Sequence, residues 1–349
     1  MSRSDARDPA QASRALSNPG IGPRAEWLDA GATHRMFLDG RLMQLGYDLW
    51  ALPEAWRADP LALLRQVLPP EAILSGWACA MVCGVRDAGP SMAPGLARGI
   101  PIYLPRHINK GPAAFQVLRC DLGEDEWQAA QGTRLATPAR AAYDMIRFCR
   151  PLSSGVSVGD CFAWQHNPSP VTGAELLQLV DTHPRARGNP RVRRAAPLMS
   201  DRARSIAETK LRLRWLEDVG LLAYDVLVNA TLTAPNGAEF EIDLIDTRHG
   251  IAAEYDGAHH ADSDQRSRDS RKDQAVYDAG LTMVRYNAPD LQSTPGQFSS
   301  HFATRRRIAL DRGCDVAVRR LLQDGVLVER PLRNYRPAVE PLTLLADYR

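Results

Sequence analysis

Two short alternating segments near residue 250 restrict this chain more than anything else in it. In FEIDLID (240–246), Phe240, Ile242 and Leu244 point one way, and Glu241, Asp243 and Ile245 point the other. In IAAEYDG (251–257), Glu254 and Asp256 share a face. The intervening Thr247–Gly250 is a short turn. With its centre between Arg248 and His249, Asp243 stands directly opposite Glu254, and a slip of one residue would separate them. Like charges opposed across a ladder are destabilising, so the pair needs a reason. A divalent cation supplies one, because Mg²⁺ takes one or two carboxylates together with waters and phosphate oxygens. The alternative is that these acids line a solvated face.

The surrounding sequence reads as α-β-β-β-α-β-α. A helix at Ser205–Val219 ends before Gly220, and Tyr224–Asn229 is a strand. Pro235-Asn236-Gly237 makes a turn before the two alternating strands. A helix at Asp264–Ala279 stops at Gly280, Leu281–Tyr286 is a strand, and a helix runs over Gln297–Asp311. The expected class is α/β (α+β), a mixed sheet flanked by helices. Glu208 on the first helix converges on the carboxylate pair. Gly257 permits a tight turn that delivers His259 and His260 beside the strand end, each a general base, a metal ligand or a phosphate contact. Gln265, Arg268, Asp269 and Lys272 form one polar stripe on the next helix, from which Gln265, Arg268 and Lys272 can meet a phosphate. Only Lys110, Lys210 and Lys272 are lysines, so a catalytic lysine must be one of these three.

A chain of 349 residues exceeds what one core usually serves, so two or three domains are expected. Residues 1–23 read as a disordered tail. Short helices beside a strand pair at Leu42–Leu52 suggest a winged-helix-like domain over 24–95. An α/β middle region follows over 96–183. Its strands are expected at 101–105 and 115–122. Its helices are expected at 137–150 and 171–183, with Thr172 and Glu175 spaced as a capping box. Residues 184–200 read as a basic linker, 201–315 as the carboxylate-bearing domain, and 316–349 as a C-terminal extension.

Charge is distributed unevenly along this order. Residues 184–214 hold ten basic and two acidic residues, whereas 240–278 hold ten acids and five bases. An acidic pocket flanked by arginine-rich arms suits a metal-dependent enzyme acting on nucleic acid. Arg191, Arg193, Arg194 and Arg212 are the candidate phosphate contacts on the basic arm. With 44% apolar and 24% charged residues, the chain is neither largely disordered nor fibrous. It has no apolar run of ~18 residues to span a membrane and no apolar signal-peptide core. Its six cysteines lack a CxxC pair and read as buried thiols in a reduced, cytoplasmic protein.

At these residues the chain resembles the PD-(D/E)XK nuclease superfamily over about 200–315. It looks most like the bacterial domains related to very-short-patch repair endonucleases. The matching run is Ser205-x-x-Glu208, Asn236-Gly237, Glu241-Ile-Asp243 and Glu254-Tyr-Asp256-Gly257-x-His259-His260. It continues through Gln265-x-x-Arg268-Asp269-x-x-Lys272-Asp273. The resemblance implies a restriction-endonuclease-like fold, a Mg²⁺ or Mn²⁺ site at Asp243 and Glu254 with Glu208 in support, and DNA cleavage. Ile242 stands where the superfamily usually has proline, and Asp256 where it has lysine. The lysine's role then falls to Lys272 or Lys210, or to His259 or His260, with Asp256 or a histidine orienting the attacking water. The first ~200 residues resemble, on mostly apolar motifs, the winged-helix region of AbiEi-type antitoxins and transcriptional regulators, which implies DNA contact. A non-catalytic DNA-binding regulator is therefore the alternative reading. RNA is an alternative substrate, and a homodimer is compatible with the sequence.

Overall fold

The computed structural model describes residues 8–92, 99–105, 113–256 and 263–329, excluding the side chains of 263–266. The protein is mixed α/β, with mixed sheets flanked by helices. It divides into two compact units, Met1–Met199 and Ser200–Tyr335.

The first unit opens with α1 (Pro9–Ser13), β1 (Ile21–Gly22), α2 (Arg24–Asp29) and α3 (His34–Leu38). The hairpin β2 (Met43–Gly46) and β3 (Leu49–Ala51) follows, then α4 (Pro53–Ala58) and α5 (Pro60–Val67). The expected disordered tail is corrected over residues 8–23, while 1–7 lie outside the described residues. Ala12 and Leu16 pack with Trp27, Met36, Phe37 and Leu42, and Ile21 pairs with Ala51 in a three-stranded sheet ordered β1-β3-β2. The apolar residues of 8–23 are few but well spaced, and a neighbouring core recruits them.

A second sheet contains β4 (Ile73–Leu74), β5 (Ile100–Tyr103), β6 (Phe115–Val117), β7 (Trp127–Ala130) and β8 (Thr133–Ala136) in the order β6-β5-β4-β8-β7. The helix α6 (Gly76–Val82) lies between β4 and β5 in sequence. The expected boundary at 95 is therefore wrong, because β4 is hydrogen-bonded to both β5 and β8. Helices α7 (Pro138–Phe148), α8 (Leu152–Ala163), α9 (Gly173–Thr182) and α10 (Asn189–Ala195) complete the unit. The helix α10 also corrects the expected linker. Its Val192 and Ala195 are fully buried, so the arginine-rich segment is an amphipathic helix with its small apolar face inside. Arginine density concealed that face.

The second unit runs α11 (Ile206–Glu217), β9 (Val226–Thr233), β10 (Glu239–Asp246), β11 (Ile251–Tyr255), α12 (Ser263–Asp278) and β12 (Thr282–Tyr286). It ends with α13 (Ala288–Gln292), α14 (Pro295–Asp311), α15 (Cys314–Gln323) and β13 (Leu327–Val328). Its sheet is ordered β12-β11-β10-β9-β13, antiparallel except for the β11–β12 pair. The domain therefore does not stop at 315, since α15 and β13 add a helix and an edge strand to it.

Two cores cover this sheet. One holds Leu211, Trp215, Val228, Leu244, Ala253, Tyr286, Phe298 and Phe302. The other holds Ala230, Leu232, Ile242, Ile245, Ala252, Val276 and Leu281. Strict alternation would put Ile242 and Leu244 in the same core, and Ala230 with Val228. They are instead split, so both β9 and β10 change face between these residues. The break coincides with Asn229, whose φ of 48° lies in the left-handed region. Asn is among the few non-glycine residues that enter that region at modest cost.

Candidate active site

The hairpin turn sets the register. The buried Asp246 carboxylate accepts the backbone N–H groups of Arg248 (2.9 Å) and His249 (3.2 Å) and lies 2.6 Å from His249 Nδ1. Gly250 closes the turn at φ 72°, and a Cβ there would stand 2.3 Å from the Cys314 carbonyl oxygen. Leu244, Ile245 and Asp246 consequently pair with Ala253, Ala252 and Ile251. Continuing that register sets Asp243 opposite Glu254, as the sequence arithmetic predicts.

The ladder stops there, and the two carboxylates take over its hydrogen bonds. Asp243 Oδ2 accepts the Tyr255 N–H at 2.8 Å, and Glu254 Oε1 faces the Asp243 N–H at 3.4 Å. Beyond this fork β10 continues along β9 while β11 continues along β12. Each acid thus secures the other strand's backbone where the strands part, which fixes both side chains near one point.

Glu208 enters from the first turn of α11. Ser205 caps that helix by accepting the Glu208 N–H at 3.1 Å. The Glu208 Oε2 atom then accepts the Arg204 N–H (2.9 Å) and Asn229 Nδ2 (2.8 Å). Asn229 also donates to the Arg202 carbonyl at 2.8 Å. The Arg202 guanidinium in turn donates to the carbonyls of Val228 and Asn229, both at 2.7 Å. Backbone groups exposed by the strand break are therefore bonded by side chains, as buried polar groups must be. Arg204 Nη2 holds Glu241 Oε2 at 2.7 Å just outside this cluster.

Lys272 arrives from α12, the connection between the parallel strands β11 and β12. Its Nζ lies 2.8 Å from Glu254 Oε2. Burial first, then the Glu254 and Glu208 carboxylates, push the Asp243 carboxyl up to about 8, with the Tyr255 N–H and Lys272 acting in the opposite direction. Lys272 and, from β12, Arg285 place positive charge near Glu254, whereas burial and the two neighbouring carboxylates act on Asp243.

Among the described residues no three or more His, Cys, Asp or Glu side chains form a ready-made ion cage. The pair Asp243 and Glu254 nonetheless fits a Mg²⁺ or Mn²⁺ ion, which needs one or two carboxylates and takes its other ligands from water and substrate. The observation supporting that fit is the fork itself, where each carboxylate is held by the other strand's backbone N–H and so kept beside its partner.

The remaining expected site residues are scattered. Asp256 is exposed at the end of β11, and its N–H bonds the Tyr286 carbonyl at 2.7 Å. His259 and His260 lie outside the described residues, and Gln265 is described only as a position on α12. Arg268 is exposed on α12, and Lys210 is exposed on α11. Arg191 donates to the Arg147 carbonyl, and Arg193 pairs with Asp181 at 2.8 Å. Arg194 is exposed. Arg212 corrects the expectation of a surface phosphate contact, because only 5% of it is accessible on the core side of α11. Sequence reasoning missed Asn229, Arg202 and Arg204. The one available signal was an asparagine inside a strand of β-branched and leucine neighbours, a residue type that marks irregular backbone.

No helix among the described residues is long and apolar enough to cross a membrane. No family model and no curated protein matches the chain. Among solved structures, the crystal structure of the Rv2827c protein from Mycobacterium tuberculosis is 18% identical, covering 55% of this chain and 79% of that one. The TM-score of that match is 0.28.

Proposed function

We propose that residues 200–335 form a metal-dependent nuclease that hydrolyses phosphodiester bonds, with DNA as substrate. The observation that carries this reading is the strand fork, where Asp243 and Glu254 meet with Lys272 2.8 Å from Glu254. Asp243 and Glu254 would hold Mg²⁺ or Mn²⁺, with Glu208 supporting from α11. When bound, such an ion supplies Lewis acidity and an acidified water. Lys272 balances the charge of Glu254 and is placed to meet a phosphate oxygen as negative charge develops on it. Asn229 keeps the Glu208 carboxylate aimed at the cluster. His259 or His260, on the segment after β11, would accept the water's proton. Six free cysteines agree with a reducing cytoplasm.

The test is plasmid relaxation and linear-DNA cleavage by the purified chain with Mg²⁺, Mn²⁺ or EDTA. Asp243→Ala should abolish cleavage in a folded protein, and Lys272→Ala should lower the rate by about 10² to 10⁴. A second reading is a DNA-binding regulator without catalysis, favoured by the exposed Asp256 where the resembled superfamily carries lysine. Tight DNA binding with no cleavage of DNA or RNA under any divalent ion would select it.

A further inference from the structure

The first unit contains a cavity of about 900 Å³ between the second sheet and the segment after α9. Tyr103 and His183 line its interior, with Tyr103 only 5% exposed. Trp127 and Arg134 line another part, the Arg134 guanidinium 5.5 Å from the indole centroid. Arg119, Arg185 and Arg187 are exposed toward solvent. Among the described residues the lining holds these four arginines against two acids, Glu71 and Asp121.

A sealed ionic frame holds the lining in place. The Tyr103 hydroxyl lies 2.7 Å from both Asp144 oxygens, and Arg140 Nη2 donates to it at 2.5 Å. Arg140 also bridges to Glu126, whose Oε1 is 2.5 Å from His183 Nε2. Asp144 further accepts from Arg147 Nη2 (2.7 Å) and Ser75 Oγ (2.8 Å). Arg140, Asp144, Arg147 and Glu126 are all buried, and their charges cancel two against two.

The same frame fixes the backbone that carries Arg185 and Arg187. Arg147 Nη1 donates to the Arg187 carbonyl at 3.3 Å, and Asn189 Nδ2 donates to the His183 carbonyl at 2.7 Å. Gly188, at φ 96°, packs so closely on α7 that a Cβ would stand 2.5 Å from the Arg147 carbonyl oxygen. Two exposed arginines therefore project from a segment already ordered before any ligand arrives, which lowers the entropy lost on binding.

We propose that this cavity binds a mononucleotide unit, its phosphate held by Arg185 and Arg187 and its base laid against Trp127. Guanidinium groups match phosphate oxygens in bidentate fashion. An indole face accepts any base by stacking. A volume near 900 Å³ lies in the range of small-molecule sites. The unit is either a free nucleotide or one nucleotide of a single strand, and this assignment is independent of the carboxylate site.

The full-length protein is titrated calorimetrically with the four ribonucleoside monophosphates, with inorganic phosphate, and with a short 5′-phosphorylated DNA strand. A mononucleotide or the strand should bind with Kd below ~1 mM. Arg185→Ala combined with Arg187→Ala should weaken this at least about tenfold. Trp127→Ala should weaken nucleotide binding about fivefold or more, with Trp127→Phe close to wild type and inorganic phosphate unaffected. Asp243→Ala should leave binding unchanged. Binding of free nucleotides assigns a soluble ligand, and binding of the strand alone, weakened by the arginine pair and by Trp127→Ala, assigns a unit of nucleic acid; either supports the site, whereas strand binding that these variants leave unchanged belongs elsewhere and overturns it. No binding by any probe, inorganic phosphate binding as tightly as nucleotides, or indifference to Trp127→Ala or to the arginine pair in folded proteins would overturn it.

Discussion

The two units each contain a cluster of charged side chains, and the clusters are built on opposite principles. In the first unit, Arg140 and Arg147 match Glu126 and Asp144, and Tyr103 and Ser75 supply further hydrogen bonds. In the second, Asp243 lies buried beside Glu254 and Glu208, while Lys272 bonds Glu254 rather than Asp243. The matched cluster is complete by itself and acts as a frame. In the other, burial and then the neighbouring carboxylates raise the Asp243 carboxyl, and the cluster gains if a cation joins it. Buried ions therefore carry different meanings depending on whether their charges balance.

Breaking the balanced cluster should have the largest effect. Arg140→Met leaves Glu126 and Asp144 with an uncompensated charge and should cost about 3–5 kcal/mol in a urea unfolding experiment. A loss below about 1 kcal/mol would mean the frame is not what orders this unit.

The unbalanced cluster should respond to pH in the opposite sense from ordinary paired acids. Asp243 ionises near 8 in the folded chain, against about 3.9 when unfolded. Between those values the unfolded chain has released a proton that the folded chain still holds. Stability from this group is therefore whole below about pH 4 and drains away as pH climbs to about 8. Thermal melts in EDTA should show that decline, Mg²⁺ should reduce it, and Asp243→Asn should remove it. A flat profile in EDTA would erase the contrast between the two clusters.

The smallest expected effect separates arginines spent on structure from those facing solvent. Arg268→Ala should lower the log–log salt slope of DNA binding by about 0.9, the value for one phosphate contact on duplex DNA. Arg191→Ala should leave that slope unchanged, because its guanidinium already bonds the Arg147 carbonyl. Equal slopes for both variants and the wild type would remove Arg268 from the proposed phosphate contacts.

The sequence by itself determined what depends on neighbours a few residues apart. Strand alternation and a four-residue turn determined that Asp243 would face Glu254, since period and turn centre are local quantities. The capping-box spacing of Thr172 and Glu175 located α9 within a few positions. Tertiary structure decided the rest, because the deciding contacts join distant segments. Only the fold brings Asn229 to Glu208, 21 positions away, and Lys272 to Glu254, 18 away. Only packing shows that Arg212 is buried, and that the arginine-rich run at 189–195 is a helix with a sealed apolar face. Residue type states what a side chain can bind; which groups remain for a ligand depends on which have already been matched across the fold.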